Sequence, residues 1–338
     1  MNIFLYEWVT GGGLIDCREE EISASLAREG RAMAAALATD LVAIGAQVDL
    51  MADERLLQPF GAATFHPVDS RAGEMTTYRK LAAAADATIV IAPEFDRILE
   101  HRATWVTQCG GRLIGPSRAA ISLSADKHRT AQHLSNVGIS STEGIVLQKS
   151  EPLPLDFPYP AILKPRYGAG SQEISSIAES DAAKGHITNR EMRLERFVAG
   201  MAASVAVLCG PKNLKPLPAC RQLLSTDGHF TYLGGSYPLE ENLEKRARRL
   251  ATEAVASFDG MLGYVGVDLL LGKKSHEDTV VEVNPRLTTS YIALRRACRG
   301  NLAEMMLQVA DGQDCTPLFF DTPIDFDCFD HRSLVSLS

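Results

Sequence analysis

The sequence has no hydrophobic run long enough to cross a membrane and no excess of basic residues. Its 338 residues carry a formal net charge of −8 and are 46% hydrophobic. A membrane-spanning helix needs about 18 or more apolar residues in a row, and a nucleic-acid surface is normally visible as a basic patch. The chain also starts without the segments of a signal peptide. We therefore expect a cytoplasmic protein that binds neither membranes nor nucleic acids.

Cysteine is sparse and without pattern. The seven cysteines are scattered, and no two of them form a C-x-x-C pair, so the sequence indicates neither a zinc site nor a redox couple. We expect reduced thiols that lie mostly in the core.

Two common nucleotide-binding motifs are also missing. The Walker sequence G-x-x-x-x-G-K-[ST] does not occur, and the glycine run at residues 11–13 lacks the G-x-G-x-x-G spacing of a dinucleotide site. A flexible turn that faces a substrate cleft fits this run better than a nicotinamide site, and a plain turn is the other alternative.

Strand-like and helix-like segments alternate in the first third of the chain. Strand-like residues 2–8 and 47–52 flank an Ala-rich helical stretch at about 23–44, and the pattern recurs up to about residue 118. Such alternation predicts an α/β domain over residues 1–118, with a small parallel sheet and helices on both of its faces.

The pattern changes after residue 118. A helical stretch at 118–137 precedes the Pro-rich run 151–160, which we interpret as a connection because proline fits neither a helix interior nor a central strand. Further strands and helices lead to a last helix at about 293–311, whereas 321–338 has no clear periodicity. Mixed α+β structure is expected for this part.

Two acidic residues, Asp268 and Glu282, lie on apolar runs either side of a polar loop centred on Ser275. If these runs pair as a hairpin, the Cβ atoms of the two acids lie roughly 4.5–5.5 Å apart, and like charges there are destabilising. A cation should then lie between them. Asn284 falls on the same face as Glu282, and carboxylate and amide oxygens suit Mg²⁺. A solvated hairpin with exposed acids is the alternative.

A lysine followed by small residues forms a second candidate site. Lys164 ends an apolar strand, and a short glycine-rich turn follows it. Small residues let backbone N–H groups approach a phosphate closely, so this turn could cover the phosphates of a nucleotide. A plain turn between two strands is the alternative. The candidate phosphate-binding residues of the turn are Gly168, Ala169, Gly170 and Ser171.

Together with Lys127 in the charged interruption of the 118–137 helix, these features stand in the order typical of the ATP-grasp superfamily. The chain resembles that superfamily over about residues 110–310. Its members join a carboxylate to an amine or a similar nucleophile. The resemblance implies an ATP-grasp fold in which the N-terminal domain is followed by two α+β subdomains, 119–198 and 199–338, that clasp ATP.

The resemblance also implies roles for individual residues. Lys127 and Lys164 would reach the α- and β-phosphates, and the glycine-rich turn would close over the β- and γ-phosphates. Arg286 and Lys164 would be the catalytic residues, with Arg286 stabilising a tetrahedral oxyanion. The hinge that binds adenine would consist of Glu195, Arg196, Phe197 and Val198. The ligands of Mg²⁺, which Mn²⁺ could replace, would be Asp268, Glu282 and Asn284.

Two positions depart from the family pattern. Many relatives carry an acid for the ribose hydroxyls about seven residues after the hinge glutamate, where this chain has Ala202. Relatives of the D-alanine ligase type place an arginine two residues before the first metal acid, where this chain has Gly266. The ribose contacts must therefore differ, and Arg286 becomes the better candidate for the oxyanion.

A second, less specific resemblance links the chain to ATP-grasp ligases of C1-carrier cofactor biosynthesis that act on glutamate. It rests on residues 6–13, 91–94, 115–117 and 282–290. It implies that the γ-carboxylate of L-glutamate is joined to tyramine or a tyrosine-like amine.

Such substrates need cations for a carboxylate, an acid for an ammonium group and an aromatic wall. The candidate substrate residues are Glu7, Gly12, Glu94, Arg221, Arg295 and Tyr291. For the two acids, helix capping or ion pairing is an equal alternative. The two arginines could instead be solvated or ion-paired, and the tyrosine could be part of the core.

Two other functions remain open on the sequence alone. One is an amino-acid or dipeptide ligase of the same mechanism with another acid and amine. The other is an ATP-binding regulatory module without chemistry. We expect small molecules as partners, and a homodimer is an open alternative.

Overall fold

The structure is a computed structural model that describes residues 1–168, 173–315 and 318–327. These residues form three sheets of four or more strands, which follow one another along the chain. Of the predicted glycine turn, Ala169, Gly170 and Ser171 lie outside the described residues, as does the end of the chain after residue 327.

The first sheet is parallel, as the sequence predicts. Its strand order is β3-β2-β1-β4. On β1, Ile3 and Leu5 pack against the first helix, whereas Phe4 and Tyr6 pack on the opposite face against the next two helices. Helices therefore cover both faces. The elements are β1 (Asn2–Glu7), α1 (Ala24–Ala43), β2 (Gln47–Asp53), β3 (Thr64–Val68), α2 (Arg71–Ala84), β4 (Ala87–Ile91) and α3 (Ile98–Gln108).

The predicted helical stretch at 118–137 is divided at its charged interruption, so that the chain forms two helices there. They are α4 (Arg118–Ser124) and α5 (Lys127–Asn136). The Asp126 side chain accepts hydrogen bonds from the backbone N–H groups of His128 and Arg129, at 3.0 and 3.1 Å, and so caps the second helix. The cap places Lys127 in the first turn of α5.

The central sheet is antiparallel, with strand order β5-β8-β6-β7. It has a small hydrophobic core of its own, which includes Leu147, Leu163 and Leu194. The Pro-rich run 151–160 connects its first two strands, as predicted. The elements are β5 (Gly144–Leu147), β6 (Ala161–Pro165), β7 (Ser175–Ile177), the short α6 (Ser180–Ala183) and β8 (Met192–Arg196).

The third sheet contains the order β14-β13-β9-β11-β12, with β10 paired to β9. On β9, Val205 and Val207 pack in the core that includes the long helix α7, whereas Ala206 and Leu208 face the N-terminal domain. The elements are β9 (Met201–Cys209), β10 (Leu214–Pro216), β11 (Cys220–Leu224), β12 (Tyr232–Tyr237), α7 (Glu241–Ala256), β13 (Gly263–Leu271) and β14 (Thr279–Asn284).

The predicted last helix at 293–311 is also divided in two. Gly300, at φ +119°, interrupts it, and the Asn301 side chain then accepts from Glu304 N and caps the second part. The elements are α8 (Ser290–Ala297), β15 (Cys298–Arg299), α9 (Leu302–Ala310), β16 (Phe319–Phe320) and β17 (Ile324–Asp327). The last strand pairs with β12, so part of the 321–338 segment is ordered as a sheet edge.

The N-terminal domain and the third sheet share one hydrophobic core. Side chains of α1 and β1 pack in it with those of α8, α9 and β9. The central sheet stands apart with its own core, so a cleft is left between it and the joined body. No helix in the described parts of the chain is long and apolar enough to span a membrane.

Candidate active site

A cleft of about 970 Å³ separates the central sheet from the joined N-terminal domain and third sheet. This volume is at the upper end of the range of roughly 300–1,000 Å³ that is usual for small-molecule sites. Its walls come from β6, β8, β9, β11, β13 and β14, and from one face each of α1 and α8. The predicted residues that line it are Lys127, Lys164, Gly168, Glu195, Arg196, Phe197, Val198, Arg221, Asp268, Glu282, Asn284 and Arg286.

The two predicted metal acids face each other. β13 and β14 are antiparallel, and Asp268 is directly opposite Glu282 in their register. Asn284 lies on the same side, and its Nδ2 donates to Asp268 Oδ2 at 3.0 Å. The predicted hairpin and the placement of its three polar side chains are therefore confirmed.

The opposed carboxylates influence one another's protonation. Burial and the neighbouring Glu282 raise the pKa of Asp268 to about 8. Burial also disfavours the charge of Glu282, but Lys127 and Lys164 more than offset this and lower the pKa of Glu282 to about 2. The pair therefore keeps one proton near neutral pH. A divalent cation between the two acids would take the place of that proton, and the all-oxygen donor set fits Mg²⁺.

Gln222 supports the metal acids from β11. Its Nε2 donates to Asp268 Oδ1 at 2.8 Å, so that both oxygens of Asp268 accept a hydrogen bond from an amide. No sequence motif points to Gln222, because β11 meets β13 only through the intervening β9.

Lys127 bridges the central sheet and the metal hairpin. Its Nζ lies 3.3 Å from Glu282 Oε2 and donates to Gly168 O at 2.7 Å. The start of the glycine turn is therefore held beside the metal acids. Arg166 precedes the turn and forms an ion pair with Asp126, with N–O distances of 2.9 and 2.6 Å. This ion pair joins the start of the turn to the N-cap of α5.

Lys164 is held by the hinge glutamate. Its Nζ lies 2.7 Å from Glu195 Oε1, and both side chains are only 4% exposed. Glu195 Oε2 accepts from Thr142 Oγ1 at 2.9 Å and from Arg193 Nε at 3.0 Å. Both oxygens of the Glu195 side chain are thus engaged, and one of them holds Lys164.

The rest of the predicted hinge lines the cleft at the end of β8 and just after it. Arg196 is exposed and pairs with Glu143, and Phe197 is half-exposed. The N–H groups of Arg196 and Phe197 already donate to Glu143 O and Pro160 O, so Val198 N–H is the better candidate for the adenine edge. Ala202, the position that departs from the family pattern, also lines the cleft.

Arg286 lines the cleft and is paired with Glu94. The Arg286 Nε–Glu94 Oε1 distance is 2.9 Å, and Nη2 donates to Glu94 Oε2 at 3.2 Å. Burial disfavours the Arg286 charge, but Glu94 more than offsets this and keeps the pKa of Arg286 above its usual value. Glu94 is 4% exposed and acts on the cleft through Arg286.

Two predicted substrate residues lie inside the N-terminal domain and do not line the cleft. Glu7 is buried and accepts from Val9 N, Thr10 N and Thr10 Oγ1, so it caps its own loop. Gly12 adopts φ +97°, and a Cβ there would lie 2.9 Å from Val68 Cγ2. Both residues serve the packing of this loop.

Two others join the N-terminal domain to α8. Arg295 pairs with Asp40 of α1 at N–O distances of 2.6 to 3.0 Å, and Tyr291 OH donates to the same carboxylate at 2.6 Å. Arg295 and Tyr291 are therefore placed as structural residues, which corrects their assignment to the substrate site.

Four charged residues of the cleft are not among the predicted site residues. Arg28 and Glu29 on α1 line it together with Arg190, which precedes β8, and Arg296 on α8. A signal for two of them is present, because Ser25, Arg28, Glu29 and Ala32 recur at the spacing of one helix face. This face lies beyond the carboxyl ends of the parallel strands, where ligands bind.

Two family models match the chain and together cover most of it. The ATP-grasp domain model matches residues 124–290. The pre ATP-grasp 3 domain model matches residues 46–121.

The chain is also similar to curated enzymes. It is 25% identical over 232 residues to tyramine–L-glutamate ligase of Methanocaldococcus fervens, a match that covers 68% of each chain. It is 24% identical over 229 residues to the tyramine–L-glutamate ligase of Methanocaldococcus jannaschii, covering 68% of this chain and 64% of that relative.

Solved structures share the fold. An ATP-grasp superfamily protein of Archaeoglobus fulgidus superimposes with a TM-score of 0.72 at 22% identity. The match covers 97% of this chain and 100% of that one. The L-amino acid ligase of Bacillus licheniformis superimposes with a TM-score of 0.66 at 16% identity, covering 91% of this chain and 73% of that one. The chain therefore belongs to the ATP-grasp family, and it is an ATP-dependent carboxylate–amine ligase of that family.

Proposed function

We propose that the protein forms an amide bond by way of an acyl phosphate, joining the γ-carboxylate of L-glutamate to tyramine or a tyrosine-like amine. The observation that carries the ligase chemistry is the facing pair Asp268 and Glu282, which shares one cleft with Lys127 and Lys164. The similarity to two tyramine–L-glutamate ligases supports the choice of substrates. Its place would be the biosynthesis of a methanofuran-type C1 carrier.

Asp268, Glu282 and Asn284 are the residues proposed to hold Mg²⁺. Bound there, Mg²⁺ would neutralise charge on the phosphate oxygens of ATP. Gln222 keeps Asp268 oriented through its hydrogen bond to Oδ1.

The lysines serve the first step, in which the carboxylate oxygen attacks the γ-phosphorus and ADP leaves. Two anions must approach each other, so catalysis consists largely of positioning and charge stabilisation. Lys127 lies beside Glu282 and the start of the glycine turn, and Lys164 is fixed by Glu195. Both are therefore proposed to hold the phosphates, with the glycine turn closing over them to keep water from the acyl phosphate.

Arg286 serves the second step, in which the amine attacks the acyl carbonyl. The carbonyl oxygen becomes an oxyanion, and a donor fixed before the reaction stabilises it most effectively. Glu94 supplies this fixation from the N-terminal domain, because it contacts both Nε and Nη2 of Arg286.

A second candidate substrate pair is supported by a surplus of positive charge in the cleft. Arg28, Arg221 and Arg296 line it without an ion pair to any carboxylate in the described ranges. One amino-acid carboxylate needs fewer cations than this. An amine partner that carries its own carboxylate, as in a dipeptide or amino-acid ligase, would use the others.

The test is ADP release with Mg-ATP across a panel of acids and amines, followed by mass spectrometry of the products. We expect release that requires L-glutamate and is highest with tyramine, and a product with the mass of their amide. Preference for tyrosine over tyramine would favour the second candidate. Release with other acid–amine pairs and none with glutamate would contradict the proposed substrates.

A further inference from the structure

Among the residues that the structure describes, four carboxylates line the cleft, and three of them have partners that explain their presence. They are Glu29, Glu195, Asp268 and Glu282. Glu195 is bound to Lys164, Arg193 and Thr142, and Asp268 and Glu282 form the facing pair. Glu29 forms no hydrogen bond and no ion pair with any residue that the structure describes. A half-buried acid without a partner in an active-site cleft suggests that its partner is part of a substrate.

The position of Glu29 is fixed by close packing behind it. The next residue, Gly30, lies against Glu7, and a Cβ at Gly30 would come within 2.5 Å of Glu7 Cδ. Glu7 cannot move aside, because it accepts three hydrogen bonds from Val9 and Thr10. Because Gly30 has no side chain, α1 can lie close to Glu7. This contact fixes the orientation of α1 about its axis, and Glu29 then faces the cleft.

The charges around Glu29 favour a cation. Burial raises the pKa of Glu29, and Arg286 opposes that effect from nearby. The Arg286 guanidinium is itself bound to Glu94. Glu7 adds a second buried carboxylate behind Glu29. Arg286 is thus already compensated by Glu94, and a substrate ammonium group would compensate Glu29.

We propose that Glu29 binds the ammonium group of the amine substrate and accepts its proton, next to the acyl group that Arg286 holds. This inference rests on the proposed amide-forming reaction and adds the group that prepares the amine. An alkyl amine reaches the cleft protonated and has no free electron pair until it loses a proton. A carboxylate in contact with it can take that proton.

The step balances in atoms and charge. One ammonium proton passes to Glu29, and the freed nitrogen electron pair forms the C–N bond at the acyl carbon. The C–O bond to phosphate then breaks, and the departing phosphate takes the second nitrogen proton. Glu29 returns its proton to water before the next turnover.

The test separates the two half-reactions with hydroxylamine, which is largely unprotonated at neutral pH and needs no base. Wild type with Mg-ATP and L-glutamate should form the hydroxamate, and with tyramine it should form the amide. In Glu29→Gln we expect amide formation to fall by about 10²–10⁴-fold, with hydroxamate formation and the KM for ATP near wild type. Glu253→Gln, at an exposed position of α7, is the matched control and should match wild type in both assays.

A second variant tests the same inference if the first is unstable. Glu29→Asp keeps the negative charge, but its side chain is one methylene shorter and the carboxylate lies farther from the amine. The KM for tyramine should therefore rise, while hydroxamate formation persists. Equal loss of amide and hydroxamate in Glu29→Gln, or no loss of amide, would overturn the role of Glu29 alone. Failure of wild type to form a hydroxamate with any carboxylic acid would overturn the proposed function, and this inference with it.

Discussion

Two residues of the β13–β14 hairpin, Asp268 and Glu282, have shifted pKa values that make stability depend on pH. Asp268 retains its proton to about pH 8 in the folded protein, whereas an unfolded aspartate loses it near pH 3.8. A pKa raised by folding means that the contribution to stability is complete below the unfolded value and is lost as pH rises through the folded one. Glu282 has the opposite sign, because its pKa is lowered to about 2 and its contribution is lost only in acid.

We therefore predict that Asp268→Asn stabilises the metal-free protein at alkaline pH. In EDTA, the Tm of wild type should fall as pH rises from about 4 to 8 more steeply than that of the variant. Thermal unfolding followed by circular dichroism across this range measures the difference. If the Tm of wild type and of the variant depended on pH in the same way, the shifted protonation of Asp268 would be contradicted. Mg²⁺ should raise the Tm of wild type more than that of the variant.

At Arg286 the prediction concerns catalysis. Arg286→Ala should lower kcat by about 10²–10³-fold, because a fixed donor to the oxyanion is removed, and the KM for ATP should change little. Steady-state kinetics at saturating amine separates the two parameters. Comparable losses in kcat and ATP affinity would instead make Arg286 a structural residue. Glu94→Gln should reduce kcat less, since the guanidinium remains but loses its charged partner.

Among the elements, the helix that carries Lys127 depends on one cap. Asp126→Ala removes both the N-cap of α5 and the carboxylate that pairs with Arg166. The free energy of unfolding should fall by about 3 kcal/mol, since a cap contributes about 1 and a buried pair a few more. Urea denaturation measures it. Asp181→Ala, which removes an exposed ion pair to Lys184, should change stability by about 0.5 kcal/mol or less.

Local pattern is sufficient to predict most of these elements but not every interruption. The hairpin register follows from strand period alone, so the facing of Asp268 and Glu282 could be predicted. Charged residues around Lys127 mark the break at the Asp126 cap, whereas periodicity carries the 293–311 stretch through the Asn301 cap without a break. Asn301 is a typical N-cap residue, and this signal could have divided the second stretch as well.

For the whole molecule, the partners of the wrongly assigned substrate residues are distant in sequence. Asp40 binds Tyr291 and Arg295 from 251 and 255 residues away. No spacing rule connects such positions, so an arginine that joins two domains looks the same in the sequence as one that binds a substrate. Gln222 escapes prediction for the same reason, because only the assembled cleft brings it to Asp268. Glu29 belongs to a helix-face pattern that the sequence shows, but this pattern does not point to Arg286.

This difference gives a paired prediction. Arg295→Ala should lower the Tm, because it leaves Asp40 with less compensation, but at a permissive temperature the KM for glutamate should be unchanged. Arg221 is exposed in the cleft. Arg221→Ala should therefore raise the KM for an acidic substrate and leave the Tm unchanged. Differential scanning fluorimetry and steady-state kinetics on both variants test it. A raised KM in Arg295→Ala alone would restore Arg295 to the substrate site.

The central claim is that this cleft activates a carboxylate by phosphorylating it. The most direct measurement follows oxygen from L-glutamate labelled with ¹⁸O in its γ-carboxylate, incubated with Mg-ATP, the amine and the protein. The account predicts that one ¹⁸O atom per amide formed appears in inorganic phosphate, and that ADP is the nucleotide product. Amide formation with unlabelled phosphate, or with the label in AMP, would contradict it.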